Sequence, residues 1–137
     1  RMRLYASPAY LEKSGIPEKP EDLSQHRLIS QHPGTPQVAA GASLVQDLMR
    51  FDVPSTLTVN NYFGVLQAVL NNLGIGVLPD YLTDDFPELV HVLPDVESGD
   101  VPVFLAYPEE LRHSKRVSAF REFVMEEIFA YRKRQQV

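Results

Sequence analysis

Residues 57–79, LTVNNYFGVLQAVLNNLGIGVLP, change their pattern twice and so restrict the fold most. Leu57, Thr58 and Val59 are β-formers that begin a strand. Asn60 and Asn61 follow, with side-chain oxygens suited to the unpartnered N–H groups of a helix start. Val65, Leu66, Val69, Leu70 and Leu73 then fall on one helical face. Gly74 is placed to close that helix in the left-handed conformation. Residues 75–78 are a short apolar run, and Pro79 ends it. A strand feeding a helix at the end of a sheet is a common seat for a polar or anionic ligand.

The rest of the chain alternates in the same way. Residues 3–6 read as a strand, and Ser7-Pro8 as a helix start, with Ser at the N-cap and Pro at the first helical position. A short helix over 9–13 closes at Gly15, and one helical turn follows Pro20. Residues 28–30 form a second strand, 31–36 a loop and 43–50 a helix. Beyond Pro79 the pattern predicts a brief helix over 80–83, then strands over 89–93 and 101–107. A final helix over 114–132 carries an apolar stripe of Val117, Phe120, Val124, Ile128 and Tyr131. Strands alternating with helices give an α/β fold, with helices on both faces of a sheet.

Composition narrows the function. The 137 residues carry a net charge of −5, and their only dense basic run is Arg132, Lys133 and Arg134. That run reads as a solvated helix end complementing the helix dipole, rather than as a phosphate-binding patch. No apolar run is long enough to span a membrane. The chain has no cysteine, which removes disulfides, thiol nucleophiles and Cys-based zinc sites. There is no G-x-S-x-G, no HExxH and no Walker A sequence. The G-x-G of Gly74 and Gly76 follows a helix and opens a strand, the reverse of a dinucleotide fingerprint. A small α/β enzyme using His32 or His91 with a nearby acid has no motif behind it.

Three segments resemble one family in series. LYASPAYLEKSGIPEKPEDLSQHRLI (4–29) has its order of strand, Ser-Pro, Gly-x-Pro, Asp-Leu and His-x-Leu-Ile. VNNYFGVLQAVLNNLGIGVLPDYL (59–82) has its polar strand end, apolar helix and Gly-Ile-Gly-x-x-Pro. VFLAYPEELRHSKRVSAFREFV (103–124) has its strand, Tyr-Pro and Arg-x-x-x-Phe helix. The chain thus resembles the C-terminal part of the effector-binding domain of LysR-type transcriptional regulators. The resemblance implies a type 2 periplasmic-binding-protein-like fold, in which two α/β lobes joined by crossing strands close on a small ligand. Residues 1–107 would be the second lobe, a mixed sheet flanked by helices, with the crossovers at 3–7 and 103–107. Residues 108–137 would be a helical segment returning to the first lobe. Most of that lobe, and a DNA-binding winged helix-turn-helix, lie outside this sequence.

The resemblance further implies a small-molecule effector, no catalysis and no cofactor or metal. It implies a cytoplasmic homo-oligomer, a dimer or tetramer, that reaches DNA only through the absent domain and has no membrane partner. A transport-type solute-binding protein of the same fold is the alternative. Carried onto matching positions, the ligand-binding residues are Asn60, Asn61, Tyr62, Phe63, Gln31, His32, Pro33 and Pro79. The Asn amides and free helix N–H groups suit a carboxylate or another polar head. Two readings stand for Asn60 and Asn61: cap alone, or cap and ligand contact. For Tyr62 and Phe63 the other reading, packing in the core or between lobes, is the one favoured by the residues alone, as is an exposed loop position for His32. Many relatives carry Trp or another aromatic residue between the second and third strands. This chain has no Trp, and its Ala-, Val- and Leu-rich 36–50 segment implies a smaller or a more apolar pocket wall.

Overall fold

The computed structural model describes residues 1–32 and 39–134. They divide into two compact units at Val101/Pro102. In the first, the elements run β1 (Met2–Ala6), α1 (Pro8–Ser14), a 3-10 turn (Pro20–Gln25), β2 (Leu28–Gln31), α2 (Ala39–Leu48) and a second 3-10 turn (Met49–Phe51). They continue as β3 (Ser55–Val59), α3 (Tyr62–Leu70), β4 (Ile75–Pro79), α4 (Asp80–Thr83) and β5 (Val90–Val92). The second unit holds a 3-10 turn (Glu109–Leu111) and α5 (Lys115–Arg134).

Among the described residues five strands form one sheet in the order β3-β2-β4-β1-β5. β2 is parallel to both β3 and β4, whereas β1 is antiparallel to β4 and β5. The sheet is therefore mixed. Successive side chains on a strand face opposite ways, and the core follows that alternation. Leu4, Leu28 and Val77 belong to a cluster with Tyr10, Leu11, Leu23, Leu44 and Leu48 of α1, the first 3-10 turn and α2. Their neighbours Tyr5, Ile29 and Leu78 belong to a second cluster with Val65, Leu66 and Val69 of α3. Helices thus cover both faces.

Local chemistry explains most boundaries. Ser7 caps α1, its hydroxyl accepting the Tyr10 N–H at 3.3 Å, and Gly15 ends it at φ 86°. The Asp22 carboxylate accepts the N–H groups of Glu18 and Lys19 at 3.0 and 3.1 Å, which fixes the first 3-10 turn. α2 is longer than the helix expected over 43–50. β5 is shorter than the strand expected over 89–93, because Leu93 is left-handed at φ 51° and turns the chain away. A loop then runs back along β1. There Ser98 accepts the Met2 N–H at 2.9 Å, and Glu97 pairs with Arg3 at 3.0 Å.

Two expectations fail. α3 is not closed by Gly74: the left-handed residue is Asn72, at φ 63°. Gly74 instead lies against β2, where an added Cβ would sit 2.3 Å from the Arg27 carbonyl oxygen. Residues 101–107 are not a strand. A strand needs a neighbour to complete its ladder, and among the described residues this segment has none. Val103 and Phe104 are 80% and 84% exposed.

Candidate functional site

β2, β3 and β4 all deliver their carboxyl ends to the same end of the sheet, because they run parallel. Gln31 closes β2 opposite Val59 of β3, and Asn60 and Asn61 leave β3 to start α3. An open-sheet ligand site forms where strand ends and helix starts meet in this way.

The polar groups there are tightly interlinked. Asn61 is the N-cap of α3: its Oδ1 accepts the Gly64 N–H at 2.8 Å. The Asn61 Nδ2 donates to Asn60 Oδ1 at 2.7 Å. The Gln31 Nε2 donates to the Asn60 carbonyl oxygen at 2.8 Å. The α3 backbone supplies Val65 N–H to the Asn61 carbonyl at 3.3 Å. Hence both Asn amides are engaged within the chain, with Asn61 a true cap. What α3 still offers a ligand is the Tyr62 and Phe63 N–H groups of its first turn, with the positive end of its dipole.

Gln31 carries the unusual feature of the site. Its Oε1 is shielded from solvent and has no hydrogen-bond partner among the described residues. An unsatisfied buried acceptor of this kind costs about 1–3 kcal/mol. Gln31 lines a narrow crevice with Gly41, Ala42, Val45, Tyr62 and Val77, one with no room for a water molecule. Tyr62 spans this crevice and packs against both core clusters. Its hydroxyl lies over Gly41, 2.7 Å from where a Cβ would stand. Burial, with a smaller contribution from Tyr81, pushes the Tyr62 phenol up to about 12, so it stays neutral.

The structure thus gathers Gln31, Asn60, Asn61 and Tyr62, but not every residue expected with them. Phe63 is 68% exposed and outside the crevice. His32 is exposed, and its backbone N–H donates to the Val59 carbonyl at 2.8 Å. Pro79 is buried at the end of β4, as the N-cap of α4. Pro33 lies outside the described residues. The crevice walls Gly41, Ala42, Val45 and Val77 were not singled out residue by residue. The small, apolar character of 36–50 was their only trace in the sequence. Among the described residues no group of three or more acidic or His side chains could hold a metal ion. No helix among them is long and apolar enough to cross a membrane.

Two histidines, His26 buried and His91 half-buried, lie apart from this site. His26 accepts or donates at Nδ1 with the Tyr10 hydroxyl, 3.2 Å away, while that hydroxyl accepts the Arg27 N–H at 3.1 Å. With its lone pair so engaged, the Tyr10 O–H is free to donate to a neutral His26, and burial lowers the His26 pKa accordingly. His91 stacks by Tyr5 at 5.4 Å, and its Nε2 is buried without a partner among the described residues. Burial, then the Arg3 charge, lowers its pKa.

Comparison with known proteins agrees with this architecture. The family described as the LysR substrate binding domain matches residues 1–128. An HTH-type transcriptional regulator of Haemophilus influenzae is 32% identical over 111 residues, covering 79% of this chain and 38% of the relative. The HTH-type regulator YhjC of Escherichia coli is 30% identical over 124 residues, covering 87% and 42%. The regulatory domain of CrgA, a LysR-type transcriptional regulator from Neisseria meningitidis, superposes with a TM-score of 0.74 at 26% identity, covering 93% of this chain and 64% of that one. This chain therefore spans about two-fifths of the length of those curated relatives. Each of these relatives is a transcriptional regulator, which overturns the alternative of a transport solute-binding protein. The chain belongs to the LysR substrate-binding domain family, the effector-binding part of LysR-type transcriptional regulators.

Proposed function

We propose that residues 1–107 form the second lobe of a two-lobed sensor, and that residues 108–137 return to a first lobe encoded outside this sequence. The sensor binds a small carboxylate between its lobes and performs no catalysis. It acts in the cytoplasm within a homo-oligomer and controls a DNA-binding winged helix-turn-helix elsewhere in the protein. Ligand binding shifts the population between open and closed lobes, and with it the geometry of the DNA-binding domains. Asn60, Asn61, Tyr62, Phe63, Gln31, His32, Pro33 and Pro79 border the second lobe's side of the cleft.

The observation that carries this reading is the grouping of Gln31, Asn60, Asn61 and Tyr62 where β2 and β3 end and α3 begins. Two features of the second unit support the division into lobes. Val103 and Phe104 are exposed and outside any helix or strand, as a crossover without its neighbours would be. Phe120, Phe123 and Phe129 of α5 are 57%, 58% and 61% exposed, an apolar surface that another part of the protein would bury.

A thermal-shift screen of small carboxylates on the full-length protein tests the proposal. A ligand held at 100 times its Kd stabilises the folded state by about 2.7 kcal/mol. The expected result is a saturable rise in Tm for at least one carboxylate, lost in a variant lacking the cleft. A flat response across carboxylates, with a saturable one to cationic metabolites, would overturn the ligand class.

A further inference from the structure

We propose that Glu97 and Ser98 clamp the first crossing strand to the start of the second, so that the two crossings bend as a pair when the lobes open and close. The inference rests on the reading of residues 3–7 and 103–107 as crossings between lobes, and it names what keeps them in step.

The chain between β5 and Pro102 is fastened along its length. Leu93 is left-handed at φ 51°, and its carbonyl accepts the Val96 N–H at 2.8 Å, so the chain loops out of β5. Val96 and Val101 are half-buried against the core cluster that holds Leu4, Val77 and Val92. Between these two anchors Ser98 meets the backbone of Met2 twice. Its N–H donates to the Met2 carbonyl at 3.0 Å, and its hydroxyl accepts the Met2 N–H at 2.9 Å. The same hydroxyl donates to the Gly99 carbonyl at 2.7 Å. Ser98 thus stands beside Met2 as Val92 and Val90 of β5 stand beside Leu4 and Ala6. Glu97 grips the residues on either side of Met2. Its Oε2 accepts the Arg3 Nε at 3.0 Å, and its Oε1 accepts the Arg1 Nη1. The Glu97 and Arg3 side chains are only 22% and 32% exposed, so salt screens this pair less than one in open water.

Where these ties stop decides where the chain can bend. A hinge forms at residues whose φ and ψ are free to change beside a fixed element. On the first crossing Met2 is fixed, between Pro79 of β4 and Ser98. On the second, the last anchor is Val101, and the two compact units divide at Val101/Pro102. The Arg1 Nε donates to Asp100 Oδ1 at 3.0 Å, so the two release points lie together. Fastened to each other there, the crossings turn about one shared axis. Without Glu97 and Ser98 each would swing from its own point.

The test uses the full-length protein, spin-labelled at Glu12→Cys in α1 and Glu126→Cys in α5, both exposed positions. Other cysteines are replaced by serine, and labelled chains are diluted into unlabelled ones. Pulsed electron resonance reads the distance between the labels, which follows the lobes. With the clamp intact the distances should form narrow peaks. Glu97→Ala with Ser98→Ala should replace them by one broad distribution, while circular dichroism shows the protein folded. Ser98→Ala alone serves where the double variant does not fold. A strap that only stabilises its own lobe would lower the denaturation midpoint and leave the peaks as they were, and that outcome overturns the clamp. So does a distribution already broad in the unmutated protein. If a carboxylate found by thermal shift still moves the unchanged peaks, the two-lobed sensor stands without the clamp. Equal amide exchange of residues 103–107 with and without the rest of the protein removes the crossings, and the clamp with them.

Discussion

At the residue scale, Gly74 and Gly15 separate two reasons for glycine. Gly15 is left-handed at φ 86°, yet a Cβ there would meet nothing within 4 Å. Gly74 needs no unusual φ, but a Cβ would press on the Arg27 carbonyl at 2.3 Å. That same carbonyl accepts the Ile75 N–H at 2.8 Å, so it cannot retreat without loosening the β2–β4 pairing. Gly15→Ala should cost about 1–3 kcal/mol, because φ 86° with ψ 165° is a region essentially confined to glycine. Gly74→Ala should cost about 3 kcal/mol, the upper range for forced overpacking. Urea denaturation of both variants would check the order, and a costlier Gly15→Ala would refute it. The sequence marks both glycines as helix stops, since a helix followed by glycine suggests a left-handed cap. Only the approach of β2 to β4 shows that Gly74 is a packing residue and that Asn72 takes the turn.

The histidines give a pH dependence at the same scale. Burial lowers the pKa of His26, and burial with the Arg3 charge lowers that of His91, below their ordinary value near 6.5 in the folded protein. Below about pH 6.5 the unfolded chain binds protons that the folded one refuses. Stability is therefore fully present above that value and falls as pH drops below it, toward the lowered folded pKa values. Tyr10→Phe removes the hydroxyl shared by His26 and Arg27 and should weaken stability by about 1–3 kcal/mol at pH 7.5. Denaturation midpoints at pH 7.5 and 5.5 would check the slope. Rising stability on acidification would contradict it.

At the element scale, α3 shows how far pattern reading reaches. Its apolar face and its Asn start follow directly from period and capping chemistry, and Asn61 takes the cap. The orphaned Oε1 of Gln31 does not follow, because it depends on an Asn60 carbonyl 29 positions away in sequence. The two jobs of Asn61 can be separated by charge. Asn61→Ala removes the bond to the Gly64 N–H and should destabilise by about 1 kcal/mol. Asn61→Asp keeps an acceptor at the cap, and its charge suits the helix N-terminus, so stability should hold or rise slightly. The same charge repels a bound carboxylate. Asn61→Asp should therefore leave the melting temperature of the free protein intact and abolish its rise with carboxylate. A retained ligand response would remove Asn61 from the cleft and leave it a cap.

At the scale of the whole molecule, the first unit's fold was readable because each element answers to a local rule: Ser7-Pro8, Asn61 and the alternation of Leu4 with Tyr5. The segment 101–107 has β-forming residues but no ladder among the described ones, since a strand is a property of two chains rather than one. Its Val103, Phe104 and Leu105 side chains are 80%, 84% and 43% exposed, a costly arrangement for a finished protein. If it crosses between lobes, the rest of the regulator must supply the missing neighbours. Hydrogen exchange then gives opposite outcomes in two samples. In the 137-residue chain alone, the amides of residues 103–107 should exchange at nearly the unprotected rate. In the full-length protein they should be protected by about tenfold or more, because exchange then requires a local opening that costs free energy. The amides of β2 and β4 serve as the internal standard, since their ladder lies within the first unit. Equal exchange of residues 103–107 in both samples would show that no first-lobe strand pairs with them and would overturn the crossover.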